Sequence, residues 1–437
     1  VWSWVICLRG NGATLAQPND SPKTTITVLP RFAGPQGRPT SLVIAVALAM
    51  LLGLQPLTTD LYLPALPLIH ADLKAAAGEV QLTMSVLILS FGLSQLVWGP
   101  LADRYGRRVV LLLGLALYVA ASVGCALAPN IHSLVIMRGA QGAAMSSAVV
   151  LARAMVRDLY EPGVGAQVMS KGLSGLGVIA IASLPIGGML TEYAGWRAAL
   201  WAVAVAGAIT LGFVLMRVPE TLAHRNPLAL KPAPLLRNMG HALRHRSFQA
   251  WALLVSCTYA GLFMMLSLSS FVFIQALDFS PAMYGWVLCS NSVAYLLGTV
   301  LCRRSLVRVG LTATVRLGAV FTAAAALALL AVGWLSQPHP LAVLAPLWLY
   351  AIGHGFHQPC GQTGAVAPFP HMAGVASAMA GLILASVAFG VGTLIGAHFD
   401  GSARFMCWGI ALAGAATTAV AWTLVQRYGV AQHESHR

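Results

Sequence analysis

Gly99-Pro100-Leu101-Ala102-Asp103-Arg104-Tyr105-Gly106-Arg107-Arg108 decides how the rest of the chain is read. One apolar run ends at its start (79–101) and another begins at its end (109–128), so the segment is a tight basic turn between two hydrophobic stretches. Stretches of about 20 apolar residues cross a bilayer as helices, whose backbone groups are satisfied internally. The glycines allow close helix approach. Asp103 is placed to cap or attract the N-terminus of a neighbouring helix, and the arginines suit an anionic lipid surface. A generic basic turn explains the arginines but not the Gly-Asp-Gly spacing.

Working outward, apolar runs fall at roughly 41–68, 79–101, 109–128, 131–152, 166–190, 196–217, 249–275, 282–302, 311–335, 340–362, 372–398 and 404–425, which predicts twelve helices. Only 9% of the 437 residues are charged and 58% are hydrophobic. Soluble domains carry about 25% charged residues, so this chain lacks a soluble surface. The runs are continuous rather than alternating, which excludes a transmembrane barrel. A formal charge of +14 invites a nucleic-acid reading, but the basic residues are scattered between apolar runs rather than gathered in a patch. The cysteines, mostly within apolar runs, form no CxxC pair, so neither a zinc site nor a disulfide framework is expected.

Basic residues set the expected orientation. With the N-terminus in the cytoplasm, 22 of the 26 Lys and Arg lie on the inner side, leaving Lys74, Arg138, Arg197 and Arg404 outside or within helices. Both termini are expected in the cytoplasm. Residues 1–40, rich in Pro, Gly, Asn and Thr, read as a disordered leader or as sequence before the true start. The segments expected to follow are a six-helix bundle (41–217), a polar cytoplasmic linker (218–248), a second six-helix bundle (249–425) and a cytoplasmic tail (426–437). Six plus six helices suggest two pseudo-symmetric halves with a binding site between them near the midplane. A weak repeat supports this: Gly298-Thr-Val-Leu-Cys302-Arg303-Arg304 follows the eighth run, with the acid missing.

These motifs carry a family resemblance covering nearly the whole chain from about residue 41. Gly99–Arg108, with Gly99, Asp103, Arg104, Gly106, Arg107 and Arg108 as its gating residues, resembles the loop signature of the major facilitator superfamily. Thr59-Asp60-Leu61-Tyr62-Leu63-Pro64-Ala65-Leu66-Pro67 in the first span is similar to the helix-1 signature of the Bcr/CflA drug-resistance exporters. Arg138-Gly139-Ala140-Gln141-Gly142 in the fourth resembles the superfamily's helix-4 motif, and Val156-Arg157-Asp158-Leu159-Tyr160 after it resembles the same subgroup. Pro185, Gly187 and Gly188 look like the fifth-helix motif of antiporters, with the proline one residue later than in the family. The resemblance implies an all-α membrane protein of the major facilitator fold, twelve transmembrane helices in two pseudo-symmetric bundles. It implies efflux of small amphipathic antibiotics, such as amphenicols, bicyclomycin or sulfonamides, across the bacterial inner membrane in exchange for protons. The alternative is a proton-coupled permease importing a small metabolite on the same fold. The expected partners are a small molecule, protons and the bilayer, with no nucleic acid, no cofactor and no metal, and the chain is expected to be a monomer.

The residues suggest the coupling chemistry independently. Asp60 is the one acid placed deep in a predicted span, and Arg138 the one deep base. A lone charge at the bilayer centre costs about 2.5–3.5 kcal/mol on insertion scales, so it faces the bundle interior and seeks a partner. At 1.5 Å per residue both lie about 10–12 Å from the outer end of their spans. An Asp60–Arg138 pair is therefore expected to couple proton exchange to cargo movement, or else only to lock two helices. Polar groups in a bilayer also need partners, which makes Tyr62, Gln141, Gln275, Asn291, His357 and Gln358 candidates for the cargo cavity. His354 and His357, at i and i+3 with Cys360 following, could be metal ligands, but no carboxylate completes a site and a cavity wall is the better reading. Paired carboxylates, phosphate-cradling loops and nucleophile–base pairs are missing from the sequence, so an enzyme is not expected.

Overall fold

The computed structural model describes residues 41–429 except 228, 231, 336–337 and 370–371. The leader 1–40, Lys231 and the tail from 430 lie outside the described residues. Within them every regular element is helical. The long helices are α1 (Ser41–Asp60), α2 (Ala77–Tyr105), α3 (Arg107–Ala126), α4 (Ile131–Leu159), α5 (Pro162–Ala194), α6 (Trp196–Arg217), α7 (Arg246–Ser270), α8 (Pro281–Val309), α9 (Leu311–Val332), α10 (Pro340–Val366), α11 (Ala373–His398) and α12 (Ala403–Trp422). Eleven are long and apolar enough to cross a membrane. The exception is α10, 27 residues long but diluted by His354, His357, Gln358 and Gln362; it packs among α7, α8 and α9 like a spanning helix. The chain is a multi-pass helical membrane protein.

In the first bundle α1 packs on α5, α2 on α4, and α3 on α4 and α6; in the second α7 packs on α10, α11 and α12, α8 on α10, and α9 on α10 and α12. The bundles meet along two seams, α2 against α11 and α5 against α8. Lipid supplies no hydrophobic force between helices, so close packing depends on small residues. A methyl group on Gly92 would fall 2.5 Å from the Ala385 Cβ across the first seam. Gly188 and Gly285 abut the Pro281–Ala282 and Leu184–Pro185 backbones across the second. The linker is not wholly irregular: it contains a 13-residue helix, Pro232–Arg244, which packs on α7 and α11.

The two ends of the bundle pair differ. One end, called the basic end here, carries the Gly99–Arg108 turn, the linker and the α8–α9 turn. At the opposite end the halves are stitched together. Gln81 of α2 donates to the Ser267 carbonyl of α7, the Ala282 amide of α8 donates to Glu192 of α5 at 2.9 Å, and His70 meets Phe271 edge-on. At the basic end a cavity separates them.

Candidate functional site

The cavity has a volume of about 940 Å³ and opens at the basic end between α2, α4 and α5 of one bundle and the start of α11 of the other. A deeper chamber of about 120 Å³ continues it towards the middle of the protein. Gln95, Arg153 and Ser377 line both parts. The deep chamber adds Gln55 of α1, Phe91 of α2, Tyr259 of α7 and Gln358 and Gln362 of α10, so six helices of both bundles converge there, with α4 supplying Arg153 and α11 Ser377. Of the cavity candidates named from sequence, Gln358 lines it. Tyr62, Gln141 and His357 do not: each is fully buried inside its own bundle. Asn291 is nearly buried in α8, and Gln275 is exposed at the opposite end. Polarity in a span marks a residue that needs a partner; whether that partner is cargo or another helix is decided by which face the helix turns inward.

Asp60 stands at a break in the helix. Pro64 has no N–H to donate to the Asp60 carbonyl, so α1 stops at Asp60 and continues as a 3-10 turn, Leu63–Ala65, and a short helix, Leu66–Asp72. The half-buried carboxylate accepts from Thr59 Oγ1 at 2.8 Å and from Ser183 Oγ of α5 at 3.3 Å. Tyr259 of α7 and Tyr284 of α8, in the other bundle, lie within electrostatic reach of it. Gly187 packs directly on the Leu61 backbone beside this break, where a methyl group would fall 2.7 Å from the Leu61 Cα. The Pro185–Gly188 segment thus touches both the α1 break and α8.

The expected Asp60–Arg138 ion pair is not formed. Among the described residues the ion pairs are Arg107–Asp103, Arg107–Asp158 and Arg197–Asp72. Arg138 is fully buried, its guanidinium 4.0 Å above the Tyr62 ring. It donates to Gln141 Oε1 at 2.8 Å, to the Thr58 carbonyl at 3.4 Å and towards Met84 Sδ at 3.2 Å. Gln141 in turn donates to Ser122, and Thr58 bonds Tyr118. A buried charge needs compensation; here oxygen lone pairs and an aromatic face provide it. Depth along the helices agreed with a pair, but the turn at Asp60 aims its carboxylate at α5. The two charges touch neighbouring residues of α1 instead, Arg138 at the Thr58 carbonyl and Asp60 at the Thr59 hydroxyl.

At the basic end Arg107 is the hub of the turn, bonding Asp103 at 2.6 Å and Asp158 at 2.9 Å. Asp103 does not cap the next helix. Glu220 from the linker does, accepting from the Arg107 and Arg108 amides at 2.9 and 3.2 Å, where the α3 dipole favours a carboxylate. Gly106 makes this possible: its φ is +110°, and a side chain there would strike the Glu220 carboxylate. Arg108 reaches the Leu215 carbonyl, Arg104 lies over Tyr105, and Gly99, Asp103 and Arg107 face the cavity mouth. The histidines diverge. His354 pairs with Thr258 of α7 and His357 with Thr322 of α9, so the two rings do not share a site; no metal-binding cluster occurs among the described residues. Sequence reasoning missed Gln55 and Gln95 as cavity residues and counted Arg153 only as an orienting charge. The first two were signalled, being amides within apolar runs.

Residues 48–393 match the model of the Major Facilitator Superfamily. The chain is 32% identical over 358 residues to an uncharacterised transporter of that type, YdgK of Bacillus subtilis, covering 78% of this chain and 85% of the relative. It is 26% identical over 363 residues to a bicyclomycin resistance protein homolog of Haemophilus influenzae, covering 81% and 88%. Its fold is similar to that of a D-xylose-proton symporter, with a TM-score of 0.70 at 16% identity over 88% of this chain and 97% of the other.

Proposed function

The chain belongs to the major facilitator superfamily, and from that premise we propose that it exports small amphipathic molecules across a bacterial inner membrane in exchange for protons. The observation that carries the reading is the cavity between the bundles, open at the basic end and stitched shut at the other. Excess Lys and Arg mark cytoplasmic loops, so the basic end faces the cytoplasm, both termini lie there, and this is the cytoplasm-open state. The bicyclomycin resistance named for the Haemophilus influenzae relative supports an antibiotic of that kind as cargo; amphenicols and sulfonamides are the other cargoes in this reading. The carrier works as a monomer, because the pathway lies between bundles of one chain.

Asp60 is the proton carrier in this reading. It sits between the bundles, at a helix break, bound by two hydroxyls rather than by a fixed counter-ion. A carboxylate not held in an ion pair is free to take up and give back a proton as the bundles rock and its surroundings alternate between wet and closed. Arg138 holds the α1 backbone beside it and keeps a positive charge in the first bundle. The Gly99–Arg108 turn, locked to the linker through Glu220 and to α4 through Asp158, holds the basic end of the first bundle as a unit during this motion.

The test uses inside-out vesicles from a pump-deficient bacterial host, acidified by respiration and loaded with a pH-sensitive dye. Adding chloramphenicol should release protons from the lumen with the wild-type chain, and Asp60→Asn should cut that release more than tenfold while the protein still inserts. Full proton release by Asp60→Asn would remove Asp60 from the mechanism. A chain that moves no antibiotic but carries a metabolite inward would replace export by the permease reading.

A further inference from the structure

Resting on that export reading, we infer that the cavity is built for cargo carrying one anionic group on an apolar, aromatic-sized body, with Arg153 as the residue that selects it.

The charges along the cavity wall are Arg107, Arg153 and Arg157 against Asp103. Arg107 and Asp103 are joined to each other, and Arg107 also takes Asp158. Asp60 is bound to Thr59 and Ser183 and lines neither part of the cavity. Arg153 and Arg157 are left, on the same face of α4 at i and i+4, where like charges are mutually unfavourable. Neither forms an ion pair among the described residues. Arg153 lies in the last two turns of α4, exposed to the open cavity, so its charge is met by water and by no carboxylate among the described residues. An anion delivered by the cargo would compensate it.

Arg153 alone of the two reaches the deep chamber. Around it stand four primary amides, Gln55, Gln95, Gln358 and Gln362, which donate to anionic oxygens without bringing a charge of their own. Apart from Ser377, the remaining wall, including Phe91, Tyr259 and Val255, is apolar or aromatic. One fixed positive charge, neutral donors and an apolar wall describe a site for a monoanion such as an aryl sulfonate or carboxylate. A cationic dye would meet an uncompensated guanidinium.

The full chain in lipid nanodiscs, with empty nanodiscs subtracted, is titrated with three fluorescent probes. They are 1-anilinonaphthalene-8-sulfonate, its neutral counterpart N-phenyl-1-naphthylamine, and the cation ethidium. A charge-assisted contact in this setting corresponds to about a tenfold preference for the sulfonate over the neutral ring system. Arg153→Gln should erase that preference by weakening the sulfonate about tenfold and leaving the neutral probe unchanged, and Arg153→Lys should restore part of it. Equal binding of the sulfonate and the neutral probe by the wild type would overturn the inference, as would an equal loss of both in Arg153→Gln or tighter binding of ethidium. Proton-coupled efflux of the neutral or cationic probe without the sulfonate would overturn the anion site and leave the export reading standing. Arg153-dependent sulfonate binding without efflux of any probe would do the reverse.

Discussion

Replacing Gly106 by alanine tests whether the basic turn is held by Glu220. The residue has φ +110° and ψ 146°, a region that costs a side-chain-bearing residue about 1–3 kcal/mol. The new methyl group would lie 2.5 Å from Glu220 Oε2 and 3.3 Å from its Cδ, so the carboxylate must leave the α3 N-terminus. That forfeits a cap on the Arg107 and Arg108 amides worth about 0.5–2 kcal/mol. The combined loss is about 2–4 kcal/mol, concentrated in one turn. Hydrogen exchange on the purified protein reads it directly: the Arg107 and Arg108 amides should exchange at least about 30-fold faster, since about 1.4 kcal/mol is a factor of ten. In a chain already carrying Glu220→Ala, Gly106→Ala should add only its backbone strain and no further loss of the cap, so the double variant falls short of the sum of the single effects. Unaltered exchange in Gly106→Ala, or additive effects in the double variant, would refute the claim that the carboxylate and the glycine form one device.

Gly92→Ala inserts a methyl group against Ala385 in the α2–α11 seam and should slow efflux several-fold at normal expression; adding Ala385→Gly should restore the rate, and failure of that rescue in a transport assay would mean the seam is not the cause. Asp400, before α12, accepts from the Ser402 amide at 2.9 Å, and that hydrogen bonding holds its carboxyl below the ordinary carboxylate range. A depressed folded value contributes stability above the unfolded value of about 3.9 and loses it as pH falls through the folded one. Asp400→Asn should therefore lower the melting temperature slightly at pH 7 and leave it unchanged near pH 2, as scanning calorimetry would show.

The membrane class, the helix positions, the place of the basic turns and the family were legible in the sequence, because each depends on local runs of residues. A span is apolar along about 20 consecutive positions, a basic loop is a cluster of neighbours, and Gly99–Arg108 is a contiguous motif. The break at Asp60 was present there too, in Pro64, although the continuous apolar run concealed it.

Facing was a different matter. Tyr62, Gln141 and His357 have the polarity of cavity residues, yet helix rotation turns them into the bundles, where Thr83, Ser122 and Thr322 are their hydrogen-bond partners. Arg153 had the look of a topology signal and lines the cavity instead. Asp103 and Glu220, 117 positions apart, exchange the roles that proximity in sequence suggests, because the linker folds back onto the α3 N-terminus. The chain by itself determined that it crosses a membrane many times and which turns are basic, since hydropathy and charge are summed over neighbouring residues. Which side chains meet, which face the cavity and which end is open were settled by tertiary packing, because rotation about a helix axis and the approach of distant helices are set by contacts between residues far apart in sequence.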